Sequence, residues 1–524
     1  MDPAKAIDLA ALARQKPMND VIGKRDSTIQ QFYCESTVFV TGGSGFIGKQ
    51  LIEKLFRSCT LKKMYILLRP KKGKKIRERL EYVLKDPAFE SLRTQQPQFS
   101  DKIIPVEGDV ADVRLGLNDQ DWQMLAKEVT IIFHVAATVR FDEPLRVATL
   151  TNLRGTREVL ALAKDCKAIK QMVHVSTAFA YATEDRAGKE VLESFYPCGV
   201  PPHTMISLAE QVDEKKLDNI TNTLIEGWPN TYTFTKAIAE ELIKTDAGHL
   251  PICIVRPAIV LPSYIEPAPG WIDLSNVMGP SGILLASGLG FVHVFLADPQ
   301  TKLDIVPVDY TNNAIIAAAW DSTDRRRKGD VDIPVYTLAK KIRFGFVNDT
   351  MEKYKYNLTT PKAVWRAALY ETDNRYVYFV LLWFLHYIPA YFLDFVCTVT
   401  GKKPKEITSF VDVYKKIDKL ANIYHYFVQY EWDFKKDNTE AMFKKMSKTD
   451  QAIYNFDLKT FDFENYIPIW AVGLRKYVVK DGLEGTAEGA RKQRIYRFIN
   501  YIALGLYIYV LWLLSATVFA VLNH

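Results

Sequence analysis

Thr37 to Gly48 reads TVFVTGGSGFIG, and this stretch decides the fold. Val38, Phe39 and Val40 form a short apolar run of the kind found in strands buried on both faces. Gly42, Gly45 and Gly48 follow at G-x-x-G-x-x-G spacing, and Lys49 to Arg57 continues as an amphipathic helix, KQLIEKLFR. Strand, glycine turn and helix N-terminus together make an anion site, because glycine lets the backbone approach a pyrophosphate that the free helical amides face. The contact set predicted here is Thr41, Gly42, Gly43 and Ser44 in the turn, then Gly45, Phe46, Ile47 and Gly48 at the helix start. The alternative is a plain tight turn, which the strand–turn–helix context disfavours.

Outward from that turn, strand and helix patterns alternate as in a parallel α/β sheet. Candidate strands are 37–41, 64–68, 103–106, 129–135, 171–175 and 251–256, with helices at 48–57, 74–85, 119–126, 153–165 and 232–247. The expected architecture is a doubly wound parallel Rossmann sheet with right-handed crossovers. A loop region rich in Pro and Gly (257–290) precedes strand-like LDIVPV (303–308) and an apolar helix at 311–320. Near residue 341 the composition shifts toward aromatics and lysine, as in a helical second domain. The organisation expected is a solvated, flexible arm (1–30), a dinucleotide-binding domain (31–344), a helical C-terminal domain (345–490) and a terminal membrane span (498–522).

That span rests on composition. After Arg497 no charged residue occurs, and Phe498 to Leu522 is long enough to cross a ~30 Å hydrocarbon layer. Arg491, Lys492, Arg494 and Arg497 flank its start, which favours a cytosolic body on a terminal anchor over a buried core helix. A second apolar stretch, Tyr376 to Val399, is interrupted by His386, Pro389 and Asp394 and reads as a buried or membrane-resting hairpin. The N-terminus carries charges throughout and is not a signal peptide.

With 524 residues, 48% hydrophobic and 25% charged, the chain is globular and larger than one ordinary domain. Six widely spaced cysteines without a CxxC pair read as reduced thiols. A net charge of +7 is modest, and no aromatic-basic RNA motif or zinc spacing accompanies its basic clusters. Nucleic acid is therefore a poor partner, and no metal is expected.

Three further features carry chemistry. Strand 64–68 ends at Arg69 in LLRPKKGKK, where an NAD site usually places an acid. Arg69, helped by Lys71 or Lys72, suits a 2′-phosphate, so NADPH is the expected cofactor; the bland alternative is a solvated basic loop. Tyr232-Thr-Phe-Thr-Lys236 puts a phenol and an ammonium on one helical face. The ammonium there is expected to lower the phenol pKa from about 10, making a proton donor usable near neutrality. Ser176-Thr177 closes strand 171–175, at the sheet edge where ligands bind, and either hydroxyl could orient a carbonyl.

Together these pieces resemble the extended short-chain dehydrogenase/reductase superfamily. TGGSGFIG is similar to its cofactor motif, YTFTK to its active-site motif and VRPAIV (255–260) to its post-catalytic strand. HVAATVRFDEPL (134–145), PNTYTFTKAIAE (229–240), EPAPGWID (266–273), DIVPVDYTNNA (304–314), LHYIPAYFLD (385–394), TGKKP (400–404) and EWDF (431–434) narrow the resemblance to the fatty acyl-CoA reductases. The resemblance implies Tyr232 as proton donor, Lys236 as its partner and Thr177 (or Ser176) as the carbonyl-orienting hydroxyl. It adds Asp109 and Val110 as adenine contacts, with Ala136, Ala137, Thr138, Ser176, Pro257, Ile259 and Val260 along the cofactor. It also implies reduction of a long-chain acyl-CoA to a primary alcohol with NADPH, at a membrane. The endoplasmic reticulum is the expected site, with a peroxisomal membrane or lipid droplet behind it. One departure stands out: after Val335-Tyr336 the chain reads TLAKKIRFGFVNDTMEKY, where the family usually carries NP and WG. Two alternatives remain: another membrane-linked extended reductase acting on a steroid or sugar nucleotide, and a non-catalytic NADP-binding scaffold.

Overall fold

Burial of nearly every strand residue on both faces follows from the apolar runs, and it draws seven strands into one parallel sheet. In the computed structural model, which describes residues 1–70, 73, 75–401 and 409–522, the strands run β1 (Thr37–Thr41), β2 (Lys63–Leu68), β3 (Ile103–Glu107), β4 (Ile131–His134), β5 (Gln171–Val175), β6 (Ile252–Pro257), β7 (Ile259–Leu261), β8 (Lys302–Pro307), β9 (Val335–Leu338) and β10 (Lys340–Arg343). The main sheet has the order β9-β6-β5-β4-β1-β2-β3. Its order reverses between β1 and β4, where Thr41 pairs with His134, and a ligand crevice opens at such a switch point. The LDIVPV segment does not join this sheet. It forms β8 at the centre of a smaller one, parallel to β7 and antiparallel to β10.

Residues 1–30 differ from the solvated arm expected. They form helices Pro3–Ala13, Lys16–Ile22 and Thr28–Tyr33, with Ala4, Ala11 and Ile29 buried. The charges that suggested solvation are instead paired with distant parts of the chain. Asp2 accepts from the Thr486 amide (2.9 Å) and hydroxyl (2.6 Å), and Asp8 meets Lys476 at 2.9 Å. Arg14 donates to the Tyr264 hydroxyl (2.7 Å), and Asp450 accepts from Thr28 (2.7 Å) and the Ile29 amide (3.2 Å).

The C-terminal region is mainly helical and locked to the sheet through buried ions. Lys54, fully buried, meets Glu266 at 2.6 Å and donates to the Ile453 carbonyl at 2.6 Å. The apolar stretch after residue 375 is not a hairpin. Arg375–Leu382, Trp383–Tyr387 and Ile388–Thr400 run on as one helix, 26 residues long, with mean hydropathy 1.6 in its most apolar window. Pro389 falls early in the last segment, just after a π turn that absorbs its missing N–H. One face is fixed to the body: His386 accepts from the His293 amide (2.9 Å), Tyr378 and Tyr387 donate to Asp418 (3.0 Å each), and Asp394 accepts from the Phe410 amide (2.9 Å). The opposite face presents Tyr376, Phe379, Phe392 and Phe395 to the outside. The chain ends in helix Thr486–Leu522, long and apolar enough to cross a membrane, and Tyr507 on it meets Phe384 edge-on at 5.6 Å.

Candidate active site

The glycine turn has the geometry its sequence calls for. Gly42 has φ +77°, and a Cβ there would lie 2.6 Å from the Ala136 nitrogen. A Cβ on Gly48 would lie 2.2 Å from the Gly42 carbonyl oxygen, so only glycine lets helix Phe46–Ser58 approach the turn. Gly45 caps that helix without a side-chain acceptor, leaving its first amides free beside Gly43 and Ser44 for an anion. Thr41 bonds His134 Nδ1 (2.8 Å) and accepts from the Ala136 amide (3.3 Å), tying this turn to the one after β4. There Ala137 and Thr138 are half-buried, and the Thr138 amide donates to Asn152 (2.9 Å). These residues fit a dinucleotide: an open cradle of amides ends β1 where the strand order reverses. Lys49 then bridges Asp86 (2.7 Å) and Asp273, and the Trp271 indole also donates to Asp86 (3.0 Å). The EPAPGWID segment is thereby fastened to the cradle helix.

Arg69, at the end of β2, is 74% exposed and only 4.0 Å from Asp109, a loose pairing that leaves the guanidinium available. Asp109 accepts from the Ala111 amide (3.0 Å), and Val110 beside it is buried. Lys71 and Lys72 lie outside the described residues, as do Lys402 to Pro404 of the TGKKP segment. Pro257 ends β6, while Ile259 and Val260, both half-buried, begin β7.

Helix Thr231–Asp246 starts at Asn230, whose side chain accepts from the Thr233 amide (2.9 Å). Its first turns carry Tyr232 and Lys236 to the end of β5. Burial pushes the Tyr232 phenol pKa up to about 12, and the neighbouring Thr177 hydroxyl offsets part of that rise. This reverses the expected lowering by lysine. The Lys236 ammonium, 1% exposed, instead donates to the Val175 carbonyl (2.7 Å). Burial pulls Lys236 down to about 8, partly offset by Glu240 one turn on. Tyr232 is thus a protonated phenol at neutral pH, in the state a reduction needs. The two adjacent hydroxyls also separate. Ser176 donates to Glu240 (2.5 Å), itself paired with buried Arg256 (2.5 Å), whereas Thr177 faces Tyr232.

Several neighbours were not readable as functional. Phe141 stacks on Tyr232 (5.8 Å, 25°), and Phe427 and Tyr424 of helix Phe410–Gln429 pack on Phe141 at 5.2 and 5.5 Å. No local pattern announces this pairing, since 286 residues separate Phe141 from Phe427. Asn152 bridges the two motifs, donating to the Thr235 hydroxyl (3.0 Å) and the Thr138 carbonyl (3.2 Å). His134 and His174 lie side by side (5.2 Å), and burial together with Lys236 pulls His134 down to about 3 and His174 well below its usual value. Both rings are therefore neutral packing groups at physiological pH.

Comparison with known proteins agrees with this geometry. Two family models described as male sterility protein match residues 40–315 and 385–481. The chain is 35% identical over 499 residues to the fatty acyl-CoA reductase wat of Drosophila melanogaster, covering 94% of each chain. It is 33% identical to fatty acyl-CoA reductase 2 of Mus musculus, covering 93% of each. Among solved structures, the terminal R domain from the myxalamid PKS-NRPS biosynthetic pathway superposes with TM-score 0.55 at 19% identity, covering 86% of this chain and 92% of that one. That likeness is one of fold, a parallel Rossmann sheet followed by a helical region. With a cofactor cradle, a Tyr–Lys pair and near end-to-end similarity to these relatives, the chain belongs to the fatty acyl-CoA reductase family.

Proposed function

We propose that this protein reduces long-chain fatty acyl-CoA to a primary alcohol with NADPH, at the cytosolic face of the endoplasmic reticulum membrane. The observation that carries the reading is the Thr177 hydroxyl acting on the Tyr232 phenol, with Lys236 one helical turn on and bonded to the Val175 carbonyl at the end of β5. NADPH would be held by Thr41 to Gly48, with Arg69 placed to meet its 2′-phosphate, and would supply the hydride. The Thr177 and Tyr232 hydroxyls donate to the substrate carbonyl oxygen and stabilise the negative charge that develops there. Collapse of the hemithioacetal releases CoA as the thiol. In the second reduction the aldehyde oxygen takes the Tyr232 phenolic proton, and the Lys236 cation offsets the phenolate left behind. Phe141 covers the phenol ring, Tyr424 and Phe427 pack behind Phe141, and the cluster excludes water from the reacting carbonyl. The balance is one acyl thioester, two NADPH and two protons giving one alcohol, one CoA thiol and two NADP⁺.

The terminal helix is the anchor in this reading, with Arg491, Lys492, Arg494 and Arg497 on the cytosolic side. The exposed face of helix Arg375–Thr400 rests on the same bilayer, since its polar contacts hold it flat against the body along its length. The test is product analysis. Membranes carrying the protein, given NADPH and long-chain acyl-CoA, form alcohol and free CoA at two NADPH consumed per alcohol. Accumulated free aldehyde, or turnover only with a steroid or sugar nucleotide, overturns the reading. Asn219-Ile-Thr221, Asn348-Asp-Thr350 and Asn357-Leu-Thr359 match the N-glycosylation acceptor pattern and should stay unmodified in a cytosolic body; a glycosidase-sensitive mass shift overturns the orientation.

A further inference from the structure

An apolar cavity lies between the small sheet and the C-terminal region, outside the residues given a role above. Its volume is about 100 Å³, several times the ~10–15 Å³ that a single water needs, and it opens to solvent at one side. The floor is Leu261 of β7, Leu303 and Ile305 of β8 and Ile342 of β10. The roof is one face of helix Gly279–Leu289, with Pro280, Ile283, Leu284, Ser287 and Gly288 at i, i+3, i+4, i+7 and i+8 spacing. That helix carries no charged residue. A Cβ on Gly288 would meet nothing within 4 Å. Phe344, Val347 and Met351 of helix Phe344–Leu358 form the wall.

Two lines of packing lead from the walls of this cavity toward the reacting centre. The Thr177 hydroxyl lies 3.5 Å from the Pro257 carbonyl, and from Pro257 the chain passes through β7 to Leu261 on the cavity floor. The roof helix begins at Gly279, beside the Tyr424 ring that packs on Phe141, which stacks on Tyr232. From Gly279 to Gly288 the roof helix advances about 13 Å. The far side of the cavity approaches the membrane anchor. Helix Phe344–Leu358 carries Tyr356 under Arg494 and Arg497, and the Ala367 amide, beside the lining, donates to Gln493 (2.8 Å).

We propose that this cavity holds the hydrocarbon tail of the substrate, with the thioester at Tyr232 and the terminal methyl toward the base of the anchor helix. The proposal rests on the acyl-CoA reading above and adds the place where chain length is measured. A tail is the occupant because the floor and roof are apolar, Asn348, Glu352, Lys355 and Glu371 are confined to the remaining sides, and the cavity lies between the Tyr424–Phe141 packing and the base of the terminal helix.

Two variants change the cavity in opposite directions. Gly288→Phe fills space that is empty, and Met351→Ala widens the wall. Across acyl-CoAs from medium to very long chain, Gly288→Phe should lose about tenfold or more in kcat/KM on the longest chains, because two or more methylenes no longer find burial. It should keep near-normal rates on the shortest, with an unchanged KM for NADPH, and Met351→Ala should shift preference toward longer chains. A wild-type protein that reduces acyl-CoA while neither variant moves the profile, or a loss equal at every length, overturns the proposal and leaves the activity intact. An acyl-CoA with a diazirine at its terminal carbon provides a readout independent of turnover. Labelling of peptides from 279–289 or 344–358 is expected. Labelling elsewhere, or tight retention of a phospholipid that acyl-CoA does not displace, also overturns it.

Discussion

Replacing Thr177 and Ser176 separately tests which hydroxyl acts on the carbonyl. Thr177→Val preserves the branched shape and removes the oxygen that meets Tyr232. A hydrogen bond to a charged partner is worth about 1.5–3 kcal/mol, so kcat/KM should fall about 10- to 150-fold. The same oxygen accepts from the Phe179 amide (3.2 Å), and losing that cap costs about 0.5–2 kcal/mol of stability. Thr177→Ser keeps both contacts and should recover most of the activity. Ser176→Ala removes a donor to Glu240 in the Arg256 network and leaves Tyr232 untouched. It should cost about 1–3 kcal/mol of stability and change kcat/KM by only about threefold or less. Initial rates of NADPH oxidation with a long-chain acyl-CoA, alongside thermal unfolding of each variant, supply both readouts. If Ser176→Ala loses as much activity as Thr177→Val, or if Thr177→Ser fails to rescue, the assignment of the carbonyl-orienting role to Thr177 is wrong.

Three other outcomes follow from the geometry. Arg69→Asp should raise KM for NADPH about 10- to 100-fold while barely altering NADH, since only the 2′-phosphate contact is lost; equal effects on both would make Arg69 a surface charge. Gly48→Ala places a methyl 2.2 Å from the Gly42 carbonyl, so NADPH affinity measured by fluorescence titration should drop at least about tenfold, and unchanged affinity would show that the cradle can open. Lys236 titrates at about 8, so its ammonium is present below that pH and lost above it, and turnover should decline as pH rises through 8. Because the unfolded chain binds that proton up to about 10.5, this group should make the fold more stable, not less, between pH 8 and 10.5. A flat rate profile up to pH 9.5 would contradict the role given to the cation.

The parts of the site that were legible in the chain are those built from short segments. A buried strand followed by G-x-x-G-x-x-G dictates its own turn, because Gly42 and Gly48 touch within one supersecondary unit. The four-residue spacing of Tyr232 and Lys236 places them on one face whatever surrounds them. What the spacing cannot carry is direction. Lys236 turns to the Val175 carbonyl instead of the phenol, and that depends on how helix Thr231–Asp246 docks on β5. Phe427 over Phe141, and Asp2 and Asp8 paired near residue 480, are meetings of distant segments that no window of residues records. Pro389 misled in another way: a proline read as a break sits where a π turn has already freed the backbone, so the helix continues.

The central claim is that Tyr232 is the proton donor of an NADPH-dependent acyl-CoA reduction. Tyr232→Phe removes only the phenolic oxygen and keeps the ring that stacks on Phe141. The direct measurement is alcohol formed from long-chain acyl-CoA by the full-length variant in membranes, beside its NADPH binding by fluorescence. The account predicts unchanged NADPH affinity and a turnover loss of about 10²–10⁴-fold. Alcohol formation at the wild-type rate would contradict it.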